Sequence, residues 1–226
     1  MEDICAMLGN DNLDLETISG VSYYSRKDTL EKYIVQQNLA GPYELFFSIE
    51  YGEKWYDIGA NIGGFCLRAC MQGVQEIIAF EPMPVSFEIL EKNLEINNFK
   101  QFVTTYNYAL VGSDIENVTI YEKTNNTGGC SMYDKENFGP IITVPAINVN
   151  KFNFDGWCIK MDCEGAEEQL IPNIDFRNVP KFACEYHAGF VGMDKYEWDK
   201  KFIEETFPNT YFQELPFDTV MISAWR

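Results

Sequence analysis

Basic charge is what this 226-residue chain has least of: 17 lysines and arginines face 35 aspartates and glutamates, a net charge of −18. A field of that sign repels phosphate backbones, and no local basic patch interrupts it, so a nucleic-acid substrate is disfavoured. Long apolar runs are missing too. No stretch approaches the ~18 residues that cross a bilayer, and the acidic start Met1-Glu2-Asp3 is unlike the basic head of a secretory signal. The expectation is a soluble, cytoplasmic protein with no membrane partner. Paired cysteine motifs are absent as well. The seven cysteines, at 5, 66, 70, 130, 158, 163 and 184, form no C-x-x-C and no zinc spacing, and their number is odd. Such scatter implies reduced thiols acting as small apolar residues in a reducing compartment. Histidine occurs once, at 187, and the dinucleotide fingerprint G-x-G-x-x-G does not occur.

What remains is enough for one full-size core, since 46% of the residues are apolar and no repeat or linker divides them. Residues 1–20 are polar and acidic, with few anchors. Asp28 to Asn38 reads as a helix with Asp28 at the N-cap and Glu31 at the capping-box position, ended by Gly41-Pro42. Residues 1–50 thus read as a helical lead-in or lid on a main domain spanning 51–226.

The stretch Tyr56-Asp57-Ile58-Gly59-Ala60-Asn61-Ile62-Gly63-Gly64-Phe65 organises that domain. A short buried strand, Lys54 to Ile58, runs into a glycine turn, and Phe65 to Met71 has the apolar spacing of a helix start. Strand, turn and helix bring bare backbone N–H groups against a nucleotide-like ligand. The spacing is G-x-N-x-G with an acid before the first glycine. That suits S-adenosyl-L-methionine better than NAD, because this cofactor carries an ammonium and a sulfonium and no pyrophosphate.

Beyond the turn the chain alternates as a parallel sheet covered by helices on both faces. Strands are expected at Gln75–Phe80, Phe102–Val111, Trp157–Asp162 and Lys181–Tyr186, with a hairpin strand at Asn117–Glu122. Helices are expected at Val85–Asn97, burying Phe87, Leu90, Leu94 and Ile96, after Cys163, and at Tyr196–Phe207, burying Trp198, Phe202 and Ile203. Asn125 to Pro140 reads as a loop, and Tyr211–Leu215 with Thr219–Trp225 as a closing antiparallel hairpin.

Ligands bind beyond the carboxyl ends of such strands. Those ends carry Asp57, Glu81, Asn107 to Ala109, Asp162 to Glu164, and Glu185 to His187. Glu81, one strand after Asp57, is placed to accept both ribose hydroxyls; otherwise it is an acid at a helix start. Lys160 and Asp162 share a strand face by parity, as an ion pair or as part of a site, and Glu185 and His187 share one by the same parity. His187 is either a structural histidine or a general base.

At this point Asp57-Ile58-Gly59-Ala60-Asn61-Ile62-Gly63, Phe80-Glu81-Pro82, Ala109-Leu110-Val111-Gly112, Lys160-Met161-Asp162-Cys163-Glu164-Gly165-Ala166-Glu167 and Glu185-Tyr186-His187 together resemble the FkbM family of S-adenosylmethionine-dependent methyltransferases. The resemblance runs in order from about Tyr33 to the C-terminus, and the K-x-D-x-E-G-A-E block is its most specific part. It implies a class I methyltransferase (Rossmann-like) sheet of seven strands, the last antiparallel, and O-methylation of a sugar or polyketide hydroxyl. By position it implies that Asp57, Gly59, Asn61 and Gly63 hold the methionine part and Glu81 the ribose, while Asn107 to Ala109 lie at the adenine. Gly128-Gly129-Cys130-Ser131 is similar to the family's small-residue loop facing the acceptor, and Val149-Asn150 departs from its leucine-aspartate pair.

The expected activity is transfer of a methyl group from S-adenosyl-L-methionine to a hydroxyl of a small molecule or glycan. Asp162 or His187 would be the base, Asp162 could instead touch the cofactor, and Glu164, Glu185 and Ser131 would lie at the acceptor. No spacing signature supports a metal, although the ligand types would let one bridge Asp162 and Glu185. An NAD-linked oxidoreductase lacks its fingerprint here. A base-modifying methyltransferase would carry a proline-rich turn in place of Asp162-Cys163-Glu164-Gly165. A cofactor-binding module without catalysis would show an intact cofactor half and no turnover.

Overall fold

The computed structural model describes residues 12–41, 47–123, 127–133 and 139–226. Cys5 and parts of the expected Asn125–Pro140 loop lie outside them.

The aromatic and β-branched runs build the main sheet. Its strands are β3 (Lys54–Ile58), β4 (Glu76–Phe80), β5 (Val103–Tyr106), β9 (Cys158–Met161), β10 (Lys181–His187), β11 (Asn209–Leu215) and β12 (Thr219–Trp225). Their order is β11-β12-β10-β9-β3-β4-β5. β12 alone runs antiparallel, paired with β10 on one side and β11 on the other. This is the sheet the resemblance implies. From β3 the chain winds outward through β4 and β5, then returns to lay β9 on the other side of β3. The order reverses between β3 and β9, which is where such sheets open a crevice.

Alternation sends successive side chains to opposite faces, and each face has its own core. Tyr56, Ile58, Ile159, Met161, Phe182 and Cys184 meet Leu170 of α4 (Glu167–Leu170) and Ile203 of α6 (Met193–Thr206). Trp55, Cys158 and Ala183 meet Phe65 and Ala69 of α2 (Gly64–Met71) and Leu90 and Leu94 of α3 (Pro84–Ile96).

Several expectations give way to tertiary context. The polar N-terminus holds a hairpin, β1 (Leu13–Ile18) with β2 (Val21–Arg26), turned at Ser19-Gly20 where both φ angles are positive. β2 buries Val21, Tyr23 and Ser25, and Asn93 of α3 and Asn97 at its C-cap bond the β2 backbone at Tyr24 and Ser22. Helix α1 (Glu31–Ala40) begins after Leu30, not at Asp28, because the Glu31 carboxylate takes the Arg26 N–H and Nε at 2.7 Å instead of capping backward. Gly41 ends it at φ 85°.

The expected strand Phe102–Val111 breaks after Tyr106. Asn107 turns its amide onto the carbonyls of Glu81 and Pro82, and β6 (Ala109–Val111) leaves for a second sheet, ordered β6-β8-β7, with β7 at Asn117–Tyr121. β8 (Ile141–Asn148) in that sheet is masked in the sequence by Pro145, which usually argues against a paired strand. On α6 the buried residues are Tyr196, Asp199 and Ile203. Trp198 is exposed and stacks on Phe202, because Asp199 turns inward to take the Tyr186 hydroxyl at 2.6 Å. Ile96 of α3 is likewise exposed.

Among the described residues no helix is long and apolar enough to cross a membrane, and Cys66, Cys70, Cys130, Cys158, Cys163 and Cys184 form no disulfide. Burial drives the thiols of Cys66, Cys163 and Cys184 well above their ordinary pKa, and protonated thiols are poor nucleophiles. Mass spectrometry of freshly prepared protein without reductant is expected to find every thiol free. An intrachain disulfide would overturn the expectation.

Candidate active site

At the crevice the chain encloses a cavity of about 810 Å³, reached by the ends of β3, β4, β9 and β10 and roofed by α1. One wall is the glycine turn. Gly59 sits at φ 81°, and a Cβ there would lie 1.8 Å from the Asp162 carbonyl oxygen, so no other residue fits. Asn61 also holds a left-handed backbone, φ 50°, and its Oδ1 is buried without a hydrogen-bond partner. A buried acceptor left open in this way points to a donor that arrives with a ligand. Gly63, at φ 95°, caps α2 and packs against Leu90, behind the cavity wall.

Asp57 does not line the cavity. Fully buried beneath the turn, its Oδ2 accepts from the Cys66 thiol at 3.1 Å, and its Oδ1 faces Lys160 Nζ at 3.1 Å. That second contact is a buried ion pair, which compensates the charge on Oδ1. Lys160 donates instead to the Gly59 carbonyl at 2.7 Å. Burial opposes the lysine's charge, but Asp57 and Asp162 outweigh it and raise its pKa. Of the two readings for Lys160 and Asp162, the ion pair of Lys160 forms with Asp57, its partner across the β3–β9 register, and Asp162 lines the cavity.

Glu81 closes the next wall. One carboxylate oxygen accepts from the Asn61 N–H at 2.7 Å, the other from the Met83 N–H at 2.8 Å, and burial pushes its pKa up to about 7. Ala109 lines the cavity beside it, whereas Asn107 acts as the clamp on Glu81 and Pro82.

The far wall is acidic. Asp162, Glu164 and Glu185 line the cavity. Ser131 does not. It is buried, donates to the Glu164 carbonyl and accepts from the Tyr133 N–H at 3.2 Å, which ties the 127–133 loop to the turn after β9. Asp162, Glu164 and His187 bring one donor atom each within 4.8 Å of one another, a crowding of negative charge that needs a cation. His187 supplies it. Its Nε2 lies 3.4 Å from Glu164 and 3.8 Å from Glu185, and its Nδ1 lies 3.4 Å from Glu167. Burial works against the imidazolium, but the bond and charge of Glu167, with Glu164 and Asp162, hold its pKa up at about 10. Burial raises Glu164 to about 8 and Glu185 to about 7, against the lowering pull of His187.

The structure therefore brings together Gly59, Asn61, Glu81, Ala109, Asp162, Glu164 and Glu185 at one cavity and sets Asp57, Gly63, Asn107, Ser131 and His187 behind its surface. Sequence reasoning missed Glu167 as part of the site, for which an acid three positions after Glu164 was the available signal. It read a lid helix over 28–38 without naming Leu30, Tyr33, Gln37 and Asn38 as cavity residues.

Residues 57–220 match the methyltransferase FkbM domain family. No curated protein matches the chain. Among solved structures, an FkbM methyltransferase from Methylobacillus flagellatus KT is 16% identical at a TM-score of 0.51, covering 79% of this chain and 45% of that one, so the chain spans less than half of that protein. TYW2 of P. horikoshii, solved with MeSAdo, is 13% identical at a TM-score of 0.51, covering 96% of this chain and 72% of that one. The tRNA (uracil-54, C5)-methyltransferase of Pyrococcus abyssi, solved with S-adenosyl-L-homocysteine, is 10% identical at 0.50, covering 94% and 44%. These identities carry the fold alone, but the domain match spans most of the sequence, from the Asp57 turn to β12: the chain belongs to the FkbM methyltransferase family.

Proposed function

We propose that the protein transfers the methyl group of S-adenosyl-L-methionine to a hydroxyl of a small molecule or glycan. The observation that carries this reading is a single cavity with a glycine turn and Glu81 on one side and Asp162, Glu164 and Glu185 on the other. Bound there, the cofactor supplies an electrophilic methyl on a sulfonium, taken by in-line displacement with the electron pair left on sulfur.

Gly59 and Asn61 would hold the methionine part, with Asp57 acting from beneath through Lys160 and the Gly59 carbonyl. The open Asn61 Oδ1 suits the cofactor's ammonium. Glu81 would take the ribose hydroxyls, since each of its oxygens accepts only one backbone N–H and keeps a lone pair, and Ala109 would face the adenine. A hydroxyl is a weak nucleophile until its proton leaves. Asp162 takes that proton in this reading. His187 does not, because a ring held protonated up to about pH 10 has no lone pair to offer. Glu164 and Glu185 orient the acceptor.

The net charge of −18 favours a small or sugar acceptor over a nucleic acid, and the unpaired cysteines favour a reducing, cytoplasmic setting. Incubation of enzyme and cofactor with a library of hydroxyl acceptors, read as a gain of one CH₂ in mass, tests the reading. Cofactor binding with no turnover on any acceptor would instead favour a non-catalytic module. For the cofactor half, Glu81→Ala is expected to weaken S-adenosylhomocysteine binding by about 1–3 kcal/mol, the loss of charge-assisted bonds. Calorimetry that shows heat with NAD and none with S-adenosylhomocysteine would sink the assignment.

A further inference from the structure

Glu167 is fully buried and stands outside the cavity wall, yet its carboxylate touches three parts of the site. Oε1 accepts from the Cys163 N–H at 2.7 Å and Oε2 from the Gly165 N–H at 2.8 Å. Those two bonds have an ordinary explanation: an acid at the start of a helix tying down the turn before it. The third contact does not follow from that. Oε1 also lies 3.4 Å from Nδ1 of His187, at the end of β10.

The turn it holds is a strained one. Glu164 has φ 51° and Gly165 φ 106°, and a Cβ on Gly165 would come within 3.0 Å of Tyr133 and Phe190. Residue 164 carries an acceptor-side acid, and β10 carries the other, Glu185. We propose that Glu167 is the positioning residue of the acceptor wall, its one carboxylate fixing the Glu164 turn and, through the His187 ring, the end of β10. The inference rests on the methyl-transfer reading for its functional meaning.

The groups that face His187 from each neighbouring element are all acceptors or neutral. They are Glu167 from α4, Glu164 from the turn, Asp162 at the end of β9, Glu185 on its own strand, Thr219 opposite on β12, and the Phe190 ring of α5 (Ala188–Val191). Acidic groups face both ring nitrogens, which favours the imidazolium form.

The chain holds a single histidine, so untagged protein gives one imidazole signal by NMR. In the wild type that signal is expected to titrate near pH 10. Glu167→Gln keeps the size and an acceptor but removes the charge, and is expected to lower the titration by at least about one pH unit. Glu168→Gln removes the neighbouring acid, which bonds Tyr133 instead, and is expected to leave it unchanged. A wild-type ring titrating near its ordinary ~6.5 overturns the inference. So does a Glu167→Gln titration equal to the wild type. Should Glu167→Gln fail to fold, Glu167→Asp retains the charge and must keep the ring more than about one unit above 6.5. Calorimetry with S-adenosylhomocysteine on the same wild-type sample tests the methyl-transfer reading separately, since absent binding would sink that reading and leave the titration standing.

Discussion

Lys160→Met is expected to lower the unfolding free energy by about 3–5 kcal/mol, the usual cost of leaving one member of a buried ion pair without the other. The lysine is almost fully buried and Asp57 fully so. Removing the ammonium strands the Asp57 carboxylate, which keeps a bond from the weak donor of the Cys66 thiol. It also takes the donor from the Gly59 carbonyl, in the segment where a Cβ would collide with Asp162. The same substitution should therefore weaken S-adenosylhomocysteine binding, because the turn loses its support from below. A double-mutant cycle separates charge from packing. Asp57→Asn combined with Lys160→Met leaves no buried charge in that pair and is expected to recover a large part of the loss. Urea unfolding curves decide the matter. A loss below about 1 kcal/mol for the single variant, the range of an exposed pair, would show that the pair does not hold the turn.

Why parity found Lys160 and not its partner is instructive. Alternation along one strand places Lys160 and Asp162 on the same face, and it cannot see across to β3. The register that sets Asp57 opposite Lys160 belongs to the sheet, not to either segment. The strands that carry the site were legible because Lys54–Ile58, Cys158–Met161 and Lys181–His187 are continuous apolar or aromatic runs interrupted by charges at their ends. The glycine turn was legible because Gly59 admits no substitute. By contrast, β1 and β2 are short, and their hairpin is held through Asn93 of a distant helix and Asn97 at its C-cap. β8 hid behind Pro145, and the expected strand Phe102–Val111 gave no hint that Asn107 would turn onto the Glu81 carbonyl and divide it. Glu167 sits in a four-residue helix too short for any periodic signal, so its inward aim appears only once β10 is in place.

Asp162→Asn is expected to lower turnover by about 10²–10⁴-fold, the range for removing a general acid–base group. Its main chain is fixed, with the N–H donating to the Ile58 carbonyl at 2.9 Å and the carbonyl packed under Gly59. The amide variant therefore keeps the backbone and the volume and loses only the proton acceptor. His187 gives the contrast. A ring held protonated to about pH 10 cannot impose a rate change through its own titration at neutral pH. Any inflection of the pH–rate profile between roughly 6 and 9 is then expected to come from Glu81, Glu185 and Glu164, raised to about 7, 7 and 8, and not from an imidazole base. Loss of His187 instead removes the cation among Glu164, Glu167 and Glu185 and should disturb acceptor binding more than cofactor binding. Single-turnover methyl transfer at saturating cofactor, run beside S-adenosylhomocysteine binding for each variant, separates the roles. If Asp162→Asn raises the cofactor's dissociation constant yet turns over normally once saturated, Asp162 is a cofactor ligand and the proton leaves by another route.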